Sequence, residues 1–424
     1  MIKFLLKGII RDKSRSFLPI IITAIGVLLT VFLSGYMRGA MGDMVDINAR
    51  FETGHMKVMT QPYLKNKDQL PNDLALLEVT DLISSISKQF PEVSWEKRIR
   101  FGGLVDYPDE EGNTQGQGPA VGLAIDLFSS ETKEINRMNL TPAIVKGKIP
   151  TKPGEALISE DFSQKIKTSV GDDITFVGST MNGSLAFKNF KVSGTVRFGS
   201  AAMDRGAIII DVTDAQNMLD MEDGAGEVLG YLPNDVYNDD DATQIAAAFN
   251  EVHKDSKDEF APVMQSLKQQ NGLASLLDYA DVMAGMFVGI FVFAMSIVLW
   301  NTGLLGGLRR YQEYGIRLAL GESKGHIYRM MITEAALIGF IGSVLGTTLG
   351  LACVYALQIY GIDISEMAPQ SNMLMPNVIR AKITPDLFYI GFIPGVFAMV
   401  LGTALSGIGI YKRETATLFK ELEV

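Results

Sequence analysis

The chain has 424 residues, a formal net charge of −10 and 47% hydrophobic residues. Its cations gather at the edges of apolar runs, with no basic patch interleaved with aromatics, which excludes nucleic acid as a partner. The single cysteine, Cys353, lies inside an apolar run, so an internal disulfide and a thiolate metal site are excluded as well.

Residues 1–15 place Ile2, Leu5, Leu6, Ile9 and Ile10 at helical spacing, with Lys3, Lys7 and Arg11 on the other side. That pattern predicts a cytoplasmic helix in the membrane interface, apolar face down and cations toward anionic headgroups. Residues 16–41 read as a first membrane helix. The apolar run from Phe17 to Met37 is longer than a signal-peptide core and no clear A-x-A site follows it, so it is expected to be retained.

Residues 42–281 are polar and read as a mixed α/β domain. Strands are predicted over 55–59, 121–125, 155–158, 173–177, 188–196 and 207–210. Helices are predicted over 74–90, 161–166, 213–219 and 242–257. Turn signals separate them, among them Lys152-Pro153-Gly154 and Asn182-Gly183. Asp239–Asp241 lacks EF-hand spacing and reads as a solvated loop. The 256–281 stretch reads as a helix rising into the second span.

Three further runs, 282–308, 333–360 and 387–411, reach the roughly 20 residues that cross a hydrocarbon core of about 30 Å. The intervening 309–332 loop carries Arg309, Arg310, Arg317, Lys324 and Arg329, and the 412–424 tail carries Lys412, Arg413 and Lys420. Positive charge is retained inside. Both termini and the 309–332 loop are therefore expected in the cytoplasm, with 42–281 and the short 361–386 loop outside.

Catalytic chemistry is not expected on this chain. Gly321-Glu322-Ser323-Lys324-Gly325 lacks the order of a phosphate loop. His55, His253 and His326 are scattered across the predicted compartments, which supports neither a zinc site nor a triad. No Asp or Glu lies in the middle of any predicted span, which argues against a proton- or sodium-driven carrier. Glu334, at the entrance of the third span, suits the positive helix end and nearby Arg329. Gly339, Gly342, Gly346 and Gly350 make one smooth face on the third span, and Gly285 and Gly289 repeat the device on the second. Such faces let helix backbones approach, either within one chain or at a dimer seam.

The stretch Gln312-Glu313-Tyr314-Gly315-Ile316-Arg317-Leu318-Ala319-Leu320-Gly321, continued by Ile327 and Thr333-Glu334-Ala335, resembles a family signature. It is similar to the E-x-G-I-x-[RK]-A-x-G … E-A segment of the FtsX/MacB-like ABC transporter permeases. Ile9 to Ser16 resembles that family's basic lead-in to its first span. Thr415 to Leu422 resembles a loose form of its closing P-x-x-A-L-R, with the Pro missing. Gly54-His55-Met56-Lys57-Val58 resembles an early strand of the lipoprotein-releasing (LolC/LolE-like) members. Val145 to Lys148, Ile158-Ser159-Glu160 and Val170-Gly171-Asp172 are similar to the family's G … LIS … VGD run.

The resemblance implies an α-helical membrane protein with four transmembrane helices and a large α/β extracytoplasmic domain. That domain would be a MacB-like periplasmic core, with a porter-like part and a β-rich insertion at about 112–200. It also implies a non-catalytic permease subunit, with no cofactor on this chain and ATP and Mg held by two copies of a cytoplasmic ABC ATPase. A second permease chain, identical or paralogous, would pair with it in the bilayer, and a periplasmic carrier or adaptor is a further expected partner.

In that reading 309–332 is the cytoplasmic coupling-helix loop. Ile316, Leu320 and Ile327 would be apolar anchors and Arg317, Lys324 and Arg329 a polar rim, with Glu313, Gly315 and Gly321 completing the motif. The expected output is extraction of lipoproteins, or export of hydrophobic or peptide substrates, at the outer face of the inner membrane. The alternative is FtsX-like signalling to a cell-wall hydrolase without transport.

Overall fold

The structure is a computed structural model that describes residues 13–109, 111–254, 256–270, 272–364 and 376–412. The interfacial segment expected before residue 13 and the tail after Lys412, with its closing motif, lie outside the described residues. The chain divides into two compact units, one of Met1–Gly42, Leu277–Ile362 and Ile379–Val424, the other of Asp43–Leu276 and Asp363–Val378.

The long helices are α1 (Lys13–Asn48), α7 (Leu273–Ala319), α8 (Lys324–Tyr360) and α9 (Phe392–Lys412). Among the described residues, three apolar stretches are long enough to cross a membrane: Ser16–Thr53, Lys324–Tyr360 and Leu387–Ile408. A shorter apolar stretch, Gly285–Val298, lies within α7. At 1.5 Å per residue the 36 residues of α1 and the 47 of α7 rise about 54 and 70 Å, so both outrun a hydrocarbon core of about 30 Å.

Glycines set the packing of the first unit. A Cβ on Gly342 would stand 2.8 Å from Thr23, and one on Gly350 2.9 Å from Val31, both on α1. Gly346 abuts Ala24 and Val27 of α1, while Gly339 faces Gly395, Val396 and Met399 of α9. The smooth face of the third span is thus covered by the chain's own helices. A Cβ on Gly285 or Gly289 would meet open space.

Among the described residues, the large sheet of the second unit has ten strands: β1 (Met56–Thr60), β2 (Ser94–Pro108), β3 (Thr114–Ile125), β4 (Ile144–Gly147), β5 (Glu155–Ser159), β6 (Asp173–Ser179), β7 (Leu185–Val196), β8 (Ala207–Asp211), β9 (Glu227–Tyr231) and β10 (Pro262–Ser266). Its main helices are α2 (Val79–Gln89), α3 (Glu134–Arg137), α4 (Glu160–Ile166), α5 (Val212–Leu219) and α6 (Asp239–His253).

Strand β2 belongs to two assemblies. Its second half pairs with β3 and β6, and the pairs β3–β8, β8–β5, β5–β7 and β7–β6 complete a closed ring of six strands. Phe101, Val105, Ala124, Ile158, Phe176, Phe190 and Ile208 belong to the buried apolar core of this region, as a small closed barrel requires. The first half of β2 pairs with β9, β9 with β1, and β1 with β10, making a four-stranded antiparallel sheet.

Three stretches depart from the sequence expectation. Residues 256–281, expected as one helix, hold β10, whose register against β1 runs Met56↔Ser266 to Thr60↔Pro262. Pro262 lacks the amide a helix interior needs, and Gly272 (φ +69°) breaks the chain before α7 begins. Asp239–Asp241, read as a loop, is the first turn of α6, capped by the Asn238 side chain and favoured there by the helix dipole. The helix expected over 74–90 starts only at Val79, because Leu76 bridges to Ala225 and Glu78 is left-handed (φ 51°).

Candidate functional site

The four-stranded sheet alternates as a strand must, but both of its faces are buried. Met56, Val58, Val228, Trp95 and Ile99 join the apolar core. The neighbouring positions on β1, β2 and β9 carry Lys57, Glu96, Arg98, Arg100, Glu227 and Tyr231. Over this polar face lies a π-helical turn, Ala49–Thr53, that continues α1.

A hydrogen-bonded chain ties sheet to turn. Arg98 donates through Nε to Glu134 Oε2 (2.6 Å) and through Nη2 to Glu134 Oε1 (3.1 Å). Its Nη1 donates to the Arg50 carbonyl (2.7 Å), and Nη2 also donates to the Tyr231 hydroxyl (2.9 Å). Tyr231 in turn donates its hydroxyl hydrogen bond to the Ala49 carbonyl (3.1 Å). Arg137 lies over the Tyr231 ring, 3.9 Å from its centroid, and pairs with Asp235 (2.9 Å), Glu96 (3.1 Å) and Glu134 (3.4 Å). Side chains of Arg98 and Glu134 are each only 1% exposed. A pair so desolvated holds because fork geometry and extra acceptors complete it.

A second cluster grips the other end of the turn. Arg100 pairs with Glu52 (3.3 Å), and Lys57 with Glu227 (2.9 Å). Burial pushes the Lys57 pKa down, against the pull of Glu227. Gln270 donates to the Thr53 carbonyl (3.3 Å), and Leu273, which opens α7, packs with Met44 and Ala49. The chain entering the second unit and the chain leaving it are therefore fastened at one place.

Beside the turn is a polar cleft of about 280 Å³, lined by Asp46, Ala49, Arg50, His55, Arg137, Tyr231 and Asp235 among others. His55 is 3% exposed and accepts the Leu232 amide proton on Nδ1 (3.0 Å). Burial lowers its pKa to about 4, outweighing the nearby Asp235 carboxylate.

Apart from His55, weighed and set aside as a zinc or triad residue, none of these residues was singled out from the sequence for its chemistry. A signal was present in Trp95, Ile99 and Phe101 alternating with Glu96, Arg98 and Arg100, interrupted on the apolar side by Lys97, as in a strand with one polar face. What it does not reveal is that the polar face is covered.

The motif residues around 309–332 meet at a tight corner. The α7 helix runs on to Ala319, then Gly321 (φ +91°) closes it with Gly321 N–H to Leu318 and Glu322 N–H to Arg317, both 3.0 Å. This is a Schellman ending. Ser323 at once caps α8 through the His326 amide (3.3 Å). Ile316 and Leu320 are exposed, Leu320 by 82%, and Arg329 is exposed as well. Arg317 reaches back to Met330 Sδ (3.5 Å).

Ile327, expected as a third anchor, is fully buried, so it belongs to the chain's own packing and not to an exposed face. Lys324 and Glu334 are half-buried on α8. Glu313 and Gly315 lie on α7, and their surroundings are outside the described residues.

Comparison with known proteins follows this division. The family described as MacB-like periplasmic core domain matches residues 16–252, and that described as FtsX-like permease C-terminal matches residues 285–415. The lipoprotein-releasing system transmembrane protein LolC of Xylella fastidiosa (strain Temecula1) is 24% identical over 267 residues. That alignment covers 61% of this chain and 62% of the relative, so the chain spans under two thirds of that relative's length. The ABC transporter permease YtrF of Bacillus subtilis is 36% identical over 130 residues, 30% of this chain and 27% of its own. The periplasmic region of MacB from Actinobacillus actinomycetemcomitans aligns over 54% of this chain and 96% of that structure, with 12% identity and a TM-score of 0.36.

Proposed function

The chain belongs to the ABC transporter permease family that joins a MacB-like periplasmic core domain to an FtsX-like permease C-terminal domain, and from that premise we propose that it converts the ATP cycle of a separate ATPase into movement of its outer domain. The observation that carries this reading is the order of the matches. A periplasmic-type domain is inserted after the first membrane helix, and a permease domain follows it.

In this reading the α7–α8 corner seats in a groove of a cytoplasmic ABC ATPase, two copies of which serve a pair of permease chains. Exposed Ile316 and Leu320 supply the apolar contact and Arg317, Lys324 and Arg329 the polar rim. ATP and Mg sit on the partner. The chain lies in the bacterial inner membrane with its termini inside and residues 43–276 outside, and itself catalyses nothing. The second permease chain is identical or paralogous.

The proposed cargo is a lipid-anchored protein, handed to a periplasmic carrier. Two features support it: the identity with a relative named for lipoprotein release, and exposed apolar side chains along α7, including Val282, Ile290, Phe293 and Ile297. Copurification from mild detergent with mass spectrometry tests the proposal. A stoichiometric ATPase with lipoproteins or a carrier is expected. An ATPase with a peptidoglycan hydrolase would replace transport by signalling, and the absence of any ATPase would overturn the proposal.

A further inference from the structure

The turn Ala49–Thr53 is a weak point by construction. In a π-turn the hydrogen bonds run i→i+5, as in Gly54 N–H to Ala49 O (3.1 Å), so the ladder of the preceding α-helix is interrupted. Open volume lies on one side of it, because Ala49 and Arg50 line the cleft of about 280 Å³. Left to itself, such a turn would yield into the cleft when the helix before it moved, and the movement would be lost there.

The side chains around it have the geometry to prevent that. Two consecutive carbonyls of the turn are held from the sheet: Ala49 O by the Tyr231 hydroxyl, and Arg50 O by Arg98 Nη1. Both donors are themselves immobilised. Tyr231 is 2% exposed and lies beneath the Arg137 guanidinium, and Arg98 is forked onto Glu134. On the far side, Arg100 holds Glu52 and Gln270 holds the Thr53 carbonyl.

We infer that Arg98 and Tyr231 are positioning residues that lock the π-turn to the outer-domain sheet, so that displacement of the first membrane helix is passed to the sheet instead of being absorbed at the turn. This rests on the permease reading above. It goes beyond it by naming the residues at which motion enters the outer domain.

The test uses the full chain with its copurifying ATPase in lipid nanodiscs. In a Cys353→Ser background, spin labels are placed at Lys88→Cys, exposed on α2, and Tyr360→Cys, exposed at the end of α8. The distance distribution is measured by pulsed electron resonance with and without Mg-ATP and vanadate. Tyr231→Phe removes one donor and keeps the ring. Arg98→Lys keeps the charge but loses the fork.

The wild-type chain is expected to show an ATP-dependent shift. Tyr231→Phe is expected to halve it, and the double variant to abolish it, with ATPase rate and complex yield unchanged. A wild-type shift that survives in both variants overturns the lock and leaves the permease reading standing. No shift in the wild-type chain overturns both. Should the double variant fail to assemble, Tyr231→Phe alone decides.

Discussion

Arg98 and Glu134 form a two-pronged ion pair, 2.6 and 3.1 Å, with both side chains 1% exposed. The pair is the hub of the polar face, since Arg98 also reaches the Arg50 carbonyl and Tyr231. Breaking this buried pair from the arginine side leaves the Glu134 charge without water and with only the longer contact to Arg137 (3.4 Å). Arg98→Met is therefore expected to destabilise the outer unit by about 3–5 kcal/mol. Replacing both, Arg98→Met with Glu134→Leu, is expected to recover most of that loss. Urea unfolding followed through Trp95 fluorescence in a Trp300→Phe background measures the two costs. Equal losses in the single and double variants would refute the pairing argument.

The His55 ring gives the outer unit a pH dependence with a definite sign. Its pKa is lowered from 6.5 to about 4, so the unfolded chain binds the proton first. Stability is full above pH 6.5, falls as pH drops below it, and this contribution is exhausted near pH 4. A shift of this size corresponds to about 3 kcal/mol at the limit. The cause is burial, with the Arg137 guanidinium adding to it against the pull of Asp235, and the Leu232 amide hydrogen-bonds the unprotonated Nδ1. His55→Asn puts an acceptor near the same place without a titrating ring. Thermal unfolding between pH 7 and 4.5 should show a slope in the wild-type chain that is flattened in this variant.

Much of the outer unit was legible in the sequence, because its strands alternate and its turns carry Gly, Pro and Asn. Predicted strands at 121–125, 155–158, 173–177, 188–196 and 207–210 fall inside β3, β5, β6, β7 and β8. The pieces that build the candidate site were not. Strand β2 was missed because Glu96-Lys97-Arg98 and the glycines at 102 and 103 resemble a solvated loop. Those glycines have another use: a Cβ on Gly103 would strike the Phe176 ring, which packs edge-on to Phe101 at 5.0 Å. That need arises only once β2, β3 and β6 are side by side. Strands β9 and β10 were hidden for a like reason, since five-residue segments such as Glu227–Tyr231 take their state from their partners. The corner at Gly321–Ser323 was readable in principle, as a C-terminal glycine and an N-capping serine back to back. The charged 309–332 stretch reads as a coupling helix set apart from the second span, whereas α7 runs on from that span without a break to Ala319.

The glycines of the two apolar helices separate by what they face. Gly346→Leu forces a side chain into Ala24 and Val27 of α1, where overpacking costs about 1–3 kcal/mol or more. Gly289→Leu meets open space within the chain. Thermal stability of the detergent-solubilised chain should fall by several degrees for Gly346→Leu and stay unchanged for Gly289→Leu. If the second permease chain packs on α7, the yield of the paired complex falls for Gly289→Leu alone.

The α7–α8 corner offers the sharpest contrast between neighbours in sequence. Leu320 is 82% exposed and Ile327 is 0% exposed, seven residues apart across a tight turn. Full burial of an exposed leucine contributes about 1.5–3 kcal/mol, which is a factor of roughly 10 to 100 in affinity. Leu320→Glu should therefore weaken ATPase binding by at least tenfold without harming the fold of the chain. Ile327→Glu should do the reverse in order of events, disrupting the chain first by burying a charge without a partner. Binding of the purified ATPase to nanodisc-held chain, read by interferometry, separates the two. Wild-type affinity in Leu320→Glu, with the chain correctly folded, would remove this corner from the ATPase interface. Reduced affinity with unchanged thermal stability would instead identify Leu320 as a contact, because a side chain 82% exposed contributes little to its own chain's packing.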